Sequence, residues 1–269
     1  MDAGIGLIVC LAALLVADVL DGGSPAAFLI PSAILLIFGA TFGATMASTS
    51  VKQFMTLPKL FGLAMKPRVS DMASVTEMFG KFADRARKDG LLSLESDVEA
   101  VEDPFIRRGL QMVIDGYEPE SVEEILEIEI ESMQARHARG IDMLAKMGGY
   151  APTFGVLGTV MGLVSVLGNL SDPSGLGESI ATAFIATLFG VGTANILWLP
   201  LSANLKGKDA AEAKERQLAM AAILGIQAGD NKRLLADKLK AYAGPDLSEK
   251  KKASEAAPAE AAPERAEAA

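Results

Sequence analysis

Apolar residues in this chain are gathered into four long runs, with charged segments between them. Residues 22–51 carry no charge, and Ala26–Met46 forms their apolar heart. Residues 147–171 and 179–205 are also free of charge. The first run is shorter, uncharged from residue 3 to residue 17 before Asp18. A helix needs about 20 mostly apolar residues to cross the hydrocarbon layer, so each run is read as a membrane span. Gly4–Leu20 is read as a true span and not a signal peptide. Asp2 stands where a cationic leader would carry Lys or Arg, and no small-residue cleavage site is followed by a soluble domain.

The polar segments have helical periodicity. Val75, Met78, Phe79 and Phe82 fall at helical spacing in Asp71–Arg87, and Gly90 is placed to close that helix. Pro104 opens a second helix with Phe105, Ile106, Leu110 and Val113, ended by Gly116. Ser121 and Glu124 form a capping-box pattern that starts a long helix toward Met147, carrying Ile125, Leu126, Ile128 and Ile130. No strand pattern and no internal repeat is present. From about Ala243 the chain is mostly Ala, Pro, Glu and Lys, which predicts disorder.

Charge then orients the spans. Of the 25 Lys and Arg residues, thirteen lie between Lys52 and Lys146 and twelve between Lys206 and Arg265; none lies in 1–50 or 147–205. The connectors Asp21–Pro25 and Asn169–Glu178 are short and hold no cation. By the positive-inside rule, Lys52, Lys59, Lys146, Lys206 and Lys208 all belong on one side, so both hairpins enter from the cytoplasm. The expected fold is an all-α membrane protein, four transmembrane helices in two hairpins, with a helical cytoplasmic domain between the second and third. Its parts are hairpin 1 (1–50), the cytoplasmic helical domain (51–147), hairpin 2 (148–205), a cytoplasmic C-terminal helix (206–242) and a disordered tail (243–269). Both termini are expected in the cytoplasm.

Composition removes several function classes. The 51–146 segment has eighteen acidic residues against its thirteen cations and no basic face, which argues against nucleic acid. With Cys10 as the only cysteine, no intrachain disulfide is available. One His and one Cys leave little for a zinc site or a Cys/His nucleophile, so neither metal nor enzyme is expected.

The last two spans carry stripes of small residues. Ala151, Gly155, Gly158 and Gly162 share one face, and Thr182, Ala186, Gly190 and Ala194 repeat every four. Such stripes let helix backbones approach closely, either within one chain or against other copies or a different membrane protein. Thr159 and Thr187 are the notable polar groups; each hydroxyl either bonds back to its own helix or lines an ion path. No ionisable residue lies in the centre of the second, third or fourth span, so an ion pathway here needs a carboxylate from a partner. Pro152 and Pro200, near the cytoplasmic ends of the third and fourth spans, read either as kinks or as hinges.

At these residues a resemblance enters. Tyr150–Val164 (YAPTFGVLGTVMGLV) resembles the third span, and Ala181–Gly190 (ATAFIATLFG) the fourth span, of the flagellar stator subunits of the MotA/PomA family. Arg87–Glu95 (RKDGLLSLE) looks like that family's cytoplasmic charged motif. Asp115 with Gly116, Arg136 with His137, and Gly225–Arg233 (GIQAGDNKR) are similar too. The resemblance covers roughly residues 1–242.

It implies a stator subunit of the bacterial flagellar motor in the inner membrane, forming a pentameric ring around the spans of a MotB-like, peptidoglycan-binding partner that carries the ion-binding Asp. Ion flow, read as protons with sodium as the alternative, would turn the ring and drive the rotor protein FliG; the only "cofactor" is the translocated ion. Arg87, Lys88 and Glu95 match rotor-facing charges, although such residues also read as a solvated helix end. Thr159 and Thr187 match hydroxyls lining the ion path, and Pro152 and Pro200 match coupling prolines. Gly155, Gly158, Gly162 and Gly190 fall to helix packing. His137 is read as a structural, hydrogen-bonded His. The sequence departs from the family at three places: Lys232 where Pro is common, Gly149 where some members carry an acid, and Ile30, before Pro31 and Ser32, where Asp is frequent. The alternative is an ExbB/TolQ-like subunit energising outer-membrane transport; such proteins resemble the last two spans and usually have three.

Overall fold

The computed structural model describes residues 2–67, 72–168 and 175–243. The expected tail beyond residue 243 and most of the connector between the last two apolar runs lie outside them. Every regular element among the described residues is helical. The α-helices are α1 (Asp2–Leu20), α2 (Pro31–Ser48), α3 (Val51–Phe54), α4 (Leu57–Met65), α5 (Met72–Asp89), α6 (Glu95–Glu99), α7 (Pro104–Ile114), α8 (Pro119–Gly168), α9 (Leu176–Thr193), α10 (Leu199–Gln227) and α11 (Lys232–Ala243). A π-helical segment, Ala194–Trp198, joins α9 to α10.

Three helical stretches are long and apolar enough to cross a membrane: Pro31–Ser48 and windows within Pro119–Gly168 and Ser179–Gln227. The apolar helix Gly4–Leu20 is shorter. The chain divides into two compact units, Met1–Val69 with Ser132–Ala211, and Ser70–Glu131 with Glu212–Ala269.

The first unit holds the apolar helices. Leu144, Met147, Ala151, Ala194, Trp198, Leu201 and Leu205 form its core with Ala64. Phe42 and Phe61 meet the Trp198 ring edge-on, at 6.1 and 5.9 Å between centroids. Outside this core many apolar side chains stay exposed, including Ile8, Val9, Val160, Met161 and Phe184. In water such a surface would be unstable; in lipid it is the expected exterior.

The second unit is a water-type helical core. Phe79, Leu94, Phe105, Leu110, Leu126, Leu218 and Ile223 are fully buried there. Gly90 and Gly116 take left-handed conformations (φ 84° and 80°), the geometry that stops a helix without a Cβ clash. Asp103 caps α7, its Oδ1 accepting from the Phe105 N–H at 2.8 Å, with Pro104 at the first helical position. Arg216 lies over the Phe105 ring at 5.0 Å, a cation–π contact.

Two local expectations shift. α8 begins at Pro119, not at the Ser121–Glu124 pattern, because proline supplies a ready-made first-turn φ two residues earlier. It then runs 50 residues with Pro152 inside it, so this proline does not end the helix. Proline removes one backbone bond; the rest of the ladder in an apolar setting keeps the helix continuous.

Candidate functional site

The two small-residue stripes meet along α8 and α9. A Cβ added at Gly155 would lie 3.2 Å from the Ala186 carbonyl oxygen and from the Gly190 and Thr187 Cα atoms. One at Gly190 would lie 2.6 Å from the Ala151 carbonyl oxygen and 2.8 Å from the Gly155 Cα. A Cβ at Gly162 would lie 2.6 Å from the Ala183 methyl, and one at Gly158 would lie 2.7 Å from the Ala186 methyl and 2.8 Å from a Leu36 methyl of α2. Gly155, Gly158, Gly162 and Gly190 thus lie where α8 and α9 approach without intervening side chains within this chain.

That close approach brings Thr159 and Thr187 together. Their hydroxyls hydrogen-bond each other across the two helices. The Thr159 hydroxyl also sits 3.2 Å from its own helix carbonyl at Gly155 and 3.3 Å from the Ala183 carbonyl, and the Thr187 hydroxyl 3.3 Å from the Gly155 carbonyl. Both side chains are half-buried. Thr159 thus bonds back to its own helix, Thr187 reaches a carbonyl of the facing helix, and the pair forms one polar spot between two apolar helices. Such a spot can donate to or accept from an ion or a proton-carrying group but cannot hold a charge of its own.

The prolines sit close to distinct backbone features. Just before Pro200, the Leu199 N–H donates to the Ala194 carbonyl, five residues back, which defines the π segment. The Leu199 side chain packs over Gly148, one turn ahead of Pro152. Asn195 Nδ2 donates to the Val191 carbonyl at 2.9 Å, and the Thr193 hydroxyl to the Phe189 carbonyl at 2.7 Å. The π segment was invisible in the sequence, because the wider turn leaves the apolar pattern continuous.

Further along α10, Ser202 donates to the Ile141 carbonyl at 2.9 Å. His137 Nδ1 and Asp209 Oδ1 are 2.7 Å apart, so His137 is hydrogen-bonded, as expected of a structural His. Lys208 Nζ donates to the Leu63, Ala64 and Lys66 carbonyls at 2.7–2.8 Å, closing the C-terminus of α4. Sequence reasoning missed this cap, since the partners are about 140 residues away in the chain. It also missed Thr41 and Thr45, fully buried in α2, with Thr45 donating to the Thr41 carbonyl at 2.7 Å.

In the second unit, Arg87 and Lys88 occupy the last turn of α5, where cations complement the helix dipole. Glu95 opens α6 across the Gly90 turn. All three are exposed, and among the described residues none forms an ion pair. Beneath them Arg85 and Asp97 pair at 2.5 Å, tying α5 to α6. Lys232 lays its stem over Gly80 and reaches Asp84 at 3.8 Å. Glu77 is held below the usual carboxylate range by its hydrogen bond to Lys81 and by that charge. No group of three or more His, Cys, Asp or Glu placed for a metal occurs among the described residues.

Comparison with known proteins gives a consistent picture. The model of the MotA/TolQ/ExbB proton channel family matches residues 97–218, and that of the motility protein A N-terminal region matches residues 4–90. Motility protein A of Bacillus subtilis is 36% identical over 239 residues, covering 88% of each chain. Motility protein A of Borreliella burgdorferi is 36% identical over 214 residues, covering 80% of this chain and 82% of its own. Among solved structures, the flagellar MotAB stator complex from Bacillus subtilis superposes with a TM-score of 0.86 at 35% identity, covering 93% of this chain and 99% of that one. MotAB of C. jejuni gives 0.86 at 29% identity, covering 91% and 96%. With two family models, relatives matched over most of their length, and a fold shared with stator complexes, the chain belongs to the motility protein A group of the MotA/TolQ/ExbB proton channel family.

Proposed function

We propose that this chain is the ring-forming subunit of a flagellar stator, converting ion flow into torque. The observation that carries it is the Thr159–Thr187 pair between close-packed helices, in a chain with no carboxylate at the centre of its last three spans. A hydroxyl pair can relay or solvate an ion, but a binding step at depth needs a titratable carboxylate, which an MotB-like partner would bring. Protonation would neutralise that carboxylate and let it move along the apolar ring; deprotonation would hold it at the polar spot. The family description makes the proton the favoured ion.

The topology proposed is four spans in two hairpins in the inner membrane, with both termini and the 51–147 and 206–242 segments in the cytoplasm. Gly4–Leu20 is the shortest span, just within the roughly 17–25 residues a crossing requires. Several copies, five in all, would surround the partner's helices. Pro152 and Pro200, with the π segment between α9 and α10, would let the spans change shape as the ion passes. Arg87, Lys88 and Glu95 would touch FliG. Exposed opposite charges contribute under about 1 kcal/mol per pair, weak enough for a contact that must break at every step.

The match of residues 4–90 to the motility protein A N-terminal model favours this over the transport alternative. The test is complementation. A host lacking its own stators, given this chain with its MotB-like partner, should swim; speed should follow the proton gradient, fall with a protonophore and stay level as sodium varies. Failure to swim with both proteins correctly inserted would overturn the stator reading; speed that tracks sodium would overturn the choice of ion.

A further inference from the structure

The segment after α2 presents an exposed face rich in cations. Between Asp21 and Asp71 the chain contains no acidic residue, yet Lys52, Lys59, Lys66 and Arg68 fall there. One side of α3 and α4 is fixed. Leu57, Leu60 and Phe61 pack against the core with Ala64 buried, and Phe54 meets Phe42 edge-on at 5.6 Å. Gln53 Nε2 donates to the Arg139 carbonyl at 2.6 Å, and Lys208 closes the end of α4. The other side is open. Lys59, Leu63 and Lys66 follow one another at i, i+4 and i+7, all exposed. Val51 is 58% exposed, Met55 73% and Leu63 48%, and Lys52 is exposed beside them. Among the described residues none of Lys52, Lys59 and Lys66 forms an ion pair.

A face that mixes alkyl groups with unpaired ammonium groups suits a bilayer surface, where the alkyl groups enter the acyl boundary and the lysines reach phosphates. α3 begins at Val51, three residues after α2 ends at Ser48, and α2 is a helix long and apolar enough to cross the membrane. We propose that the outer face of α3 and α4 is a docking surface for the headgroups of anionic phospholipids, holding the polar end of α2 at the membrane surface. This rests on the membrane topology proposed above. Unpaired cations with no carboxylate among them favour anionic over zwitterionic lipid, and the interleaved Val51, Met55 and Leu63 favour lipid over a polar partner.

The test takes the full-length chain, purified from membranes in its assembled form, and exposes it to equal amounts of phosphatidylglycerol and phosphatidylcholine in detergent. Native mass spectrometry counts the lipids retained. The intact protein should retain phosphatidylglycerol preferentially. Each substitution among Lys52→Gln, Lys59→Gln and Lys66→Gln should lower that preference about fivefold, while Lys59→Arg should keep it. If the Lys52→Gln or Lys66→Gln protein fails to assemble, Lys59→Gln alone gives the readout. Equal retention of both lipids by the intact protein, or an unchanged ratio in Lys59→Gln, overturns the proposal. So does an altered oligomer mass with an unchanged lipid ratio, which would assign the face to a second copy. Because the readout is a lipid ratio, it stands apart from motility: loss of swimming with lipid preference intact would count against the stator reading alone.

Discussion

The hydroxyls of Thr159 and Thr187 bond to each other across α8 and α9, and both reach the carbonyl oxygen of Gly155. A glycine at 155 is what lets the second helix come near enough for this sharing. Replacing Thr187 with Val keeps the shape and removes the hydroxyl, whereas Ser keeps it. Thr187→Val should abolish most ion flux through the assembled complex while lowering stability by only about 0.6–1.7 kcal/mol. Thr187→Ser should conduct. Flux measured in proteoliposomes, next to a thermal melt of the same sample, separates the two effects.

Gly190 gives a sharper steric case. A methyl there would meet the Ala151 carbonyl at 2.6 Å, and backbone cannot step aside as a side chain can. Gly190→Ala should destabilise the complex by about 1–3 kcal/mol, and Gly190→Leu by more, with loss of assembly. Gly192, which has open space around it in the chain, should accept Ala with little change. Fluorescence-detected size exclusion after a temperature ramp reads all three variants.

Lys208 holds three carbonyls at the end of α4. Lys208→Met retains the stem and removes the donors, leaving carbonyls of a helix terminus without these partners. Hydrogen bonds to charged groups contribute about 1.5–3 kcal/mol, so α4 should fray. Faster amide exchange confined to residues 60–66 is the expected signature; exchange unchanged there would show that the cap does not hold the helix.

Lys232 departs from the family pattern, and the structure explains why either residue fits. It is the first residue of α11, where the backbone N–H has no helical partner, and Asn231 already caps the helix by accepting from the Leu234 N–H at 2.9 Å. Lys232→Pro should therefore change stability by about 1 kcal/mol or less, losing the stem's contact with Gly80 and an exposed ion pair to Asp84. Asn231→Ala should cost about 0.5–2 kcal/mol. Urea melts of the two variants would rank them.

Reversing Arg87 and Glu95 together should slow or stop swimming while leaving the amount of membrane-inserted protein unchanged, because neither side chain is used in an ion pair of the described fold. Normal swimming in that double variant would remove both from the rotor contact.

Much of this was legible because membranes simplify sequences. The glycine stops at Gly90 and Gly116 and the Pro104 start follow from local chemistry, and each sits where the pattern put it. The meeting of Thr159 with Thr187 was not legible, since the small-residue stripes around them allowed close packing without saying which helices would meet. What the sequence hid were relationships between distant segments, such as Lys208 with α4 and His137 with Asp209. Apolar runs also conceal register: neither the continuity of α8 through Pro152 nor the π turn before Pro200 alters hydropathy.

That π turn sets the phase of everything after it. A regular α-helix advances about 100° per residue, so the extra residue in Ala194–Trp198 is a single-residue insertion absorbed without breaking the helix. Deleting any one residue there would restore a regular ladder and rotate Leu201, Ser202 and Leu205 by about 100° relative to Thr187. The face that buries Leu201 and Leu205 would then turn away from the core they fill with Trp198. Length in this joint is therefore fixed more strictly than residue type: substitutions can be absorbed one side chain at a time, whereas a lost codon would put the hydroxyl pair and the helix beyond it out of step.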